Sequence, residues 1–456
     1  MTSKPVWMPS SAGMWMLEPD VLLTGSDDER AFRLEYLLVA FGGAFMSISI
    51  IMLALTRGVR AGDWATLAVW SLCCVMGAWV LEKRLPDYDR LIFAITMVLT
   101  GWGLVVIDRL SDGFIYNFAD RQTLWMVLGV ALMLLVTIRP EPLRWLREYR
   151  YLMLIFGLVL LVSTIIFGTN PSGSPFAPQL WLGYGRVFFQ PSELLKIILV
   201  GFLASYLAEQ YPALRAEGLD INQNSLFSLS PRIVGPVLMM WALSVVILVW
   251  QRDLGAATLF FGVFVVLLYV ASSNTIVVIG GGILTLVAGT AAYFLFGVVQ
   301  VRVDIWIDPW SQADGRAYQI VQSLLAFAAG GVYGQGVGQG SPNYIPVVHS
   351  DFVFAAIAEE WGLLGISVVV ICIATLVMRG MRIAVLQQER PFYALTAVGL
   401  SALIGIQSLM IMGGTLRVLP LTGVTLPFMS YGGSSLVINF VIVGLLLRLS
   451  RREGAA

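Results

Sequence analysis

Apolar runs of roughly 18 to 25 residues recur along almost the whole of this chain. A water-soluble core cannot absorb so much unbroken apolar surface, but a bilayer demands it of every helix that crosses. The composition agrees. Of the 456 residues 58% are hydrophobic and 12% charged, against about 25% charged in a soluble domain. The runs fall near 34–56, 63–81, 91–107, 122–138, 150–168, 192–209, 232–250, 254–271, 275–297, 351–378, 393–413 and 430–448. The expected fold is an all-α polytopic membrane protein of about twelve transmembrane helices.

Other classes drop out quickly. The formal net charge is zero, so the chain lacks the basic footprint of a nucleic-acid binder. Cys73, Cys74 and Cys372 sit inside apolar runs without metal-ligand spacing and read as buried small hydrophobes. Residues 1–33 are polar to mixed and carry no signal-peptide pattern. Gly334-Gln335-Gly336-Val337-Gly338-Gln339-Gly340 lacks the Gly-Lys-Ser/Thr of a nucleotide loop; its glycines instead permit a tight loop that a ligand's surface can approach. Asp87-Tyr88-Asp89 is too short to mark a metal site, and His349 has no partner at a recognisable spacing.

Basic residues set the orientation. Lys83, Arg84 and Arg90 form one cluster, Arg139, Arg144, Arg147 and Arg150 a second, Arg379, Arg382 and Arg390 a third, and Arg448, Arg451 and Arg452 a fourth. An even number of spans puts all four on one side with both termini, and the positive-inside rule makes that side cytoplasmic. Loops 169–191, 298–350 and 414–429 then lie outside. The longest, 298–350, has helical spacing in Tyr318, Ile320, Val321, Leu324, Leu325 and Phe327, which predicts an amphipathic helix there.

Charged residues inside or beside apolar runs are the candidates for chemistry. Asp351 stands where loop 298–350 enters a span, and suits either a helix N-cap or a carboxylate acting on a membrane-borne substrate. Lys196 lies one turn inside the span opened by Gln190-Pro191-Ser192-Glu193; it either pairs with Glu193 at i,i+3 or faces a wet cavity. Glu359 and Glu360 lie deeper and should face the bundle interior, paired with an arginine or a helix end. Asp253 suits a cap in the turn Gln251-Arg252-Asp253-Leu254-Gly255, while Arg186 and Arg417 are outside cations able to grip a diphosphate.

Taken together and in order, several segments resemble the SEDS family (shape, elongation, division and sporulation), whose members include RodA and FtsW. They are Phe189-Gln190-Pro191-Ser192-Glu193 with Lys196; Asp253-Leu254-Gly255; Tyr318-Gln319 with Gln322-Ser323; Gly334-Gln335-Gly336-Val337-Gly338; His349-Ser350-Asp351-Phe352 with Glu359-Glu360; and Pro420-Leu421-Thr422-Gly423 with Pro427-Phe428-Met429-Ser430-Tyr431-Gly432-Gly433-Ser434-Ser435. The resemblance implies a ten-helix core over 91–450, an added N-terminal hairpin at 34–81, a cytoplasmic segment 1–33 and a cytoplasmic tail 451–456. It implies Asp351 and Lys196 as catalytic, with Arg186, Glu193, Gln319, Arg417 and Ser434 against the substrate and Asp253, Glu359 and Glu360 lining the cavity.

The implied activity is an inverting peptidoglycan glycosyltransferase in the bacterial cytoplasmic (inner) membrane. It would polymerise lipid II, release undecaprenyl diphosphate, and work beside a class B penicillin-binding transpeptidase. No resident cofactor is implied beyond a divalent cation, Mg or Mn, at the diphosphate. Arg252-Asp253-Leu254-Gly255 and Arg417 are closer to an elongation branch than to a division branch. A lipid II flippase and a noncatalytic scaffold of the wall-synthesis complex are the rival classes. A flippase needs a path open to both leaflets, and a scaffold would tolerate loss of Asp351 and Lys196.

Overall fold

The computed structural model describes residues 25–58, 60–111, 118–170, 179–185, 187–218 and 253–451, with scattered positions between 235 and 251. Helices α1 (Gly25–Arg57), α2 (Ala61–Arg84), α3 (Arg90–Leu110) and α4 (Phe118–Ile138) are followed by a short α5 (Glu141–Glu148) and by α6 (Arg150–Phe167). A hairpin of β1 (Leu182–Tyr184) and β2 (Val187–Phe189) leads into α7 (Pro191–Gly218). Then come α8 (Leu254–Ser272), α9 (Thr275–Leu295), α10 (Gly297–Ile307), α11 (Tyr318–Gly330), α12 (Val348–Asp351), α13 (Val353–Leu386), α14 (Pro391–Thr415) and α15 (Gly433–Ser450). Among the described residues 11 helices are long and apolar enough to cross a membrane. They match eleven of the expected runs; the remaining one, 232–250, falls almost wholly outside the described residues.

Local chemistry sets the helix ends. Asp89, Asp253 and Asn274 each accept a backbone N–H at the start of α3, α8 and α9. Proline opens α7 and α14, where a missing N–H costs nothing. The spans α3, α7, α14 and α15 are mostly buried, whereas α2, α6 and α9 expose apolar faces suited to lipid. Small residues bring α4 and α15 close: a Cβ on Gly129 would stand 2.4 Å from the Phe440 ring, and one on Gly444 2.7 Å from the Met133 carbonyl oxygen.

The described spans run between two ends of the bundle. Asp89 joins Arg379 at 2.7 Å and donates its backbone N–H to Ser450 Oγ at 3.0 Å, so the start of α3 and the ends of α13 and α15 meet at one end. The described members of all four expected basic clusters belong to that basic end, Arg452 lying outside the described residues, and Asp87-Tyr88-Asp89 has a structural role there. The loops 298–352 and 416–432 gather at the opposite, loop end.

Two features depart from the sequence expectation. The β-hairpin turns at Gly185, which takes φ +66°, and its strands are too short to show an alternating pattern. The α13 helix is broken at Gly362 (φ 66°, ψ −163°). The glycine-rich stretch takes up the backbone groups this break frees: Gln335 and Gly336 donate to the carbonyls of Glu359 and Glu360 at 2.8 and 3.0 Å, and Leu363 donates to Gly331 at 2.9 Å. A Cβ on Gly334 would lie 2.2 Å from the Glu360 carbonyl oxygen. These glycines therefore admit a neighbouring helix rather than a ligand.

The α1–α2 pair packs on α3 and reaches the same loop. Arg57 bridges Asp63 at 3.2 Å and pairs with Asp108, while a Cβ on Gly338 would stand 2.8 Å from Thr56 Oγ1. At the basic end Glu35 accepts from Tyr88 at 2.7 Å and from Arg90 at 3.1 Å.

Candidate active site at the loop end

Asp351 closes the one-turn helix α12. That turn is held by Val347, a β-branched residue at φ +56° whose carbonyl accepts the N–H groups of Ser350 and Asp351 at 3.1 and 3.3 Å. Such a conformation is costly for valine and persists only where its surroundings enforce it. Phe352, not Asp351, is the N-cap of α13, and no side chain caps that helix. The N-cap alternative is thus set aside. The half-buried carboxylate accepts one hydrogen bond, from the Ser350 hydroxyl to Oδ1 at 2.8 Å.

Its other oxygen faces Gly423. Asp351 Oδ2 and Arg302 Nη2 both come within 3.9 Å of the place a Gly423 Cβ would occupy, and Gly423 takes φ +74°. Any side chain there would be strained by the positive φ and would stand beside both charged groups. Arg302, on α10, donates Nη1 to the Thr422 carbonyl at 3.2 Å. It makes no direct ion pair with Asp351, yet its charge acts on both Asp351 and Asp253. Burial pushes the Asp351 carboxyl above its ordinary range, opposed by the Ser350 hydrogen bond and by Arg302. Burial also raises Asp253, which caps α8 by accepting from Ala256 at 2.9 Å. The same residue feels Arg302 on one side and Glu193 and Lys196 on the other.

Lys196 is buried on α7, with Nζ 2.6 Å from Glu193 Oε2 and donating to Gln407 Oε1 at 2.9 Å. Gln407 passes the chain on, donating Nε2 to the Thr425 carbonyl at 2.7 Å; Thr425 Oγ1 lies 2.7 Å from Ser435 Oγ. Segment 422–425 is therefore a hub, with Asp351 and Arg302 on one side and the Lys196 chain on the other. Of the two sequence alternatives for Lys196, the i,i+3 pair with Glu193 forms, and the ammonium is buried in this polar chain.

The remaining expected residues fall differently. Arg417, at φ +58°, gives Nε to the Trp306 carbonyl at 2.8 Å and Nη2 to the Ile307 carbonyl at 2.9 Å, so it caps the end of α10 instead of facing a diphosphate. Ser434 accepts the Gln190 N–H at 3.0 Å and fixes the entrance to α7. Gln319 is half-exposed at the start of α11, and Arg186 lies outside the described residues. Glu360 binds Arg109 at 2.9 Å and the Gly338 N–H at 3.1 Å; Glu359 accepts the Ser341 N–H at 2.8 Å. Both glutamates anchor the glycine-rich loop. Arg302 and Gln407 were missed by sequence reasoning. Gln407 had a signal, as a lone amide in an apolar run; Arg302 had none, because nothing local says which carboxylate it meets.

No group of three or more His, Cys, Asp or Glu side chains among the described residues could hold a metal ion. The two acids nearest the hub, Asp253 and Asp351, both face Arg302.

These features define a helical membrane protein with an acid–cation cluster at its loop end. The chain belongs to the FtsW–RodA–SpoVE family of cell cycle proteins, whose model matches residues 89–454. It is 36% identical over 428 residues to the peptidoglycan glycosyltransferase RodA of Mycobacterium tuberculosis, covering 91% of this chain and 90% of the relative. It is 34% identical over 384 residues to a probable peptidoglycan glycosyltransferase FtsW of Geobacter metallireducens, covering 81% and 96%. Among solved structures it is similar to a chain of a peptidoglycan synthase complex that coordinates polymerization and crosslinking. That match has TM-score 0.63 and 25% identity, over 80% of this chain and 98% of the other. Residues 89–454 alone cannot supply a 91% share, so the mycobacterial alignment extends into the segment before residue 89.

Proposed function

We propose that this protein is a peptidoglycan glycosyltransferase that polymerises lipid II at the outer face of the bacterial cytoplasmic membrane. The observation that carries the reading is Asp351. The chain has relatives that bear that name, and the Asp351 carboxylate neither caps a helix nor forms an ion pair, while it and Arg302 both lie beside Gly423. The basic end is cytoplasmic by the positive-inside rule, so the loop end and its site face outward, where a lipid-linked sugar is displayed.

In the reaction Asp351 takes the proton of the acceptor sugar's hydroxyl as that oxygen attacks the anomeric carbon of the growing strand. The bond to undecaprenyl diphosphate breaks, and the single displacement inverts the anomeric centre. The carboxyl must be ionised to act; its raised value leaves it basic enough to accept a proton, and Arg302 keeps the ionised form accessible. Negative charge then develops on the departing diphosphate, where Arg302 and the Lys196 chain supply fixed positive charge. The α1–α2 pair is an addition to the ten-helix core. A class B penicillin-binding transpeptidase is the proposed partner, supported by the similar chain's place in a complex that joins polymerization to crosslinking.

The test is glycan-strand formation from purified lipid II by the purified protein, alone and with its transpeptidase. Polymer with inverted linkages is the expected result. A folded complex that consumes no lipid II would turn the reading toward transport.

A further inference from the structure

The basic end holds a recess that the site at the loop end does not use. Gln387, Arg390, Tyr393, Arg448 and Arg451 wall it, with Leu449 beneath. It encloses about 50 Å³, more than one water's share of about 30 Å³. Gln387 donates Nε2 to the Leu449 carbonyl at 2.8 Å, which fixes the end of α13 on the end of α15 and makes the walls one unit.

Elsewhere at this end four arginines have carboxylates. Arg379 meets Asp89 at 2.7 Å, Arg90 meets Glu35 at 3.1 Å, Arg150 meets Glu209 at 2.6 Å and Arg144 meets Glu148 at 2.7 Å. Arg448 and Arg451 lie one turn apart at the end of α15, half-buried, and neither has an ion pair or hydrogen bond among the described residues. No acidic residue lines the recess. The negative end of the α15 dipole favours cations there, but it does not explain why guanidinium groups converge on one walled space, where they repel each other. A scatter that served orientation alone would leave them on open loops. Planar guanidinium forks match a phosphate's oxygens, and Tyr393 and Gln387 add polar groups beside them.

We propose that this recess binds one phosphate-bearing anion, on the face of the membrane opposite Asp351. It lies at the ends of membrane-spanning helices, where a bilayer carries its headgroups, so an anionic phospholipid and free phosphate are the two sources of the same chemistry. The proposal stands apart from the glycosyltransferase reading.

The test is native mass spectrometry of the full chain in neutral detergent, titrated separately with phosphatidylglycerol, phosphatidylethanolamine and inorganic phosphate. The expected result is one phosphatidylglycerol retained in preference to phosphatidylethanolamine. In Arg448→Ala/Arg451→Ala that retention weakens about tenfold or more, since each arginine near a charged surface contributes several-fold. If inorganic phosphate is retained and competes the lipid away, the anion site is supported with free phosphate as its source. Should the double alanine variant fail to fold, Arg448→Lys/Arg451→Lys keeps the charge but loses the fork, and must still retain less. Equal retention of the two lipids, or retention unchanged in either variant, overturns the proposal.

Discussion

Glu360 and Asp351 are both carboxylates at the loop end, nine positions apart along the chain, and each has an arginine nearby. Their surroundings differ in completeness. Glu360 is buried with Arg109 on one oxygen and the Gly338 N–H on the other. Asp351 holds one hydroxyl, stands off its arginine, and sits on a strained turn. A satisfied buried acid fixes structure; an acid left with spare capacity beside a charge it does not pair with can exchange a proton with something else.

The comparison is most sharply broken or upheld by Asp351→Asn. That variant keeps shape and the Ser350 contact but removes the base, so polymerisation should fall by about 10² to 10⁴ with folding intact. Arg302→Gln comes next. Loss of fixed charge at the diphosphate should cost about 10² to 10³ in rate. The same change tests the sign of the electrostatics. Activity needs ionised Asp351 and fails as pH falls through its raised value; without Arg302 the carboxyl rises further, so the acid limb of the pH–rate profile should move to higher pH. A limb that stays in place would separate Arg302 from Asp351.

Lys196→Met probes the other side of the hub. It strands Glu193 as a buried unpaired charge, and breaking such a pair costs about 3–5 kcal/mol. Thermal unfolding in detergent should show the loss, and adding Glu193→Gln should return most of it without restoring activity. The smallest expected effect is that of Arg417→Ala, about 1.5–3 kcal/mol from lost charged hydrogen bonds to the end of α10. Its effect on rate should be slight, unlike that of Arg302→Gln on the same helix.

Much of the fold was legible because each span must satisfy its own backbone in lipid, which leaves long apolar runs in the sequence. The amphipathic segment at Tyr318–Gly330 was legible for a related reason, its helical spacing. Of the site, Asp351, Lys196 and the paired glutamates stood out as charges in apolar surroundings. What sequence could not give was pairing across distance. Arg417 meets carbonyls about 110 positions away, and Arg302 meets segment 422–425 from 120 positions away. Neither partner leaves a local mark, so the same residue type was overvalued at Arg417 and overlooked at Arg302. The glycine-rich loop misled likewise: glycine reports close approach, not what approaches.

The most direct test sets the two acids side by side: initial rates of glycan polymerisation from lipid II for Asp351→Asn and Glu360→Gln, each normalised to folded protein. The account predicts almost no polymer from the Asp351 variant at wild-type stability. It predicts lowered stability from the Glu360 variant with activity per folded molecule largely kept. Normal polymerisation by Asp351→Asn, or a stable Glu360→Gln protein that is inactive, would contradict it and move the chemistry to the glycine-rich loop.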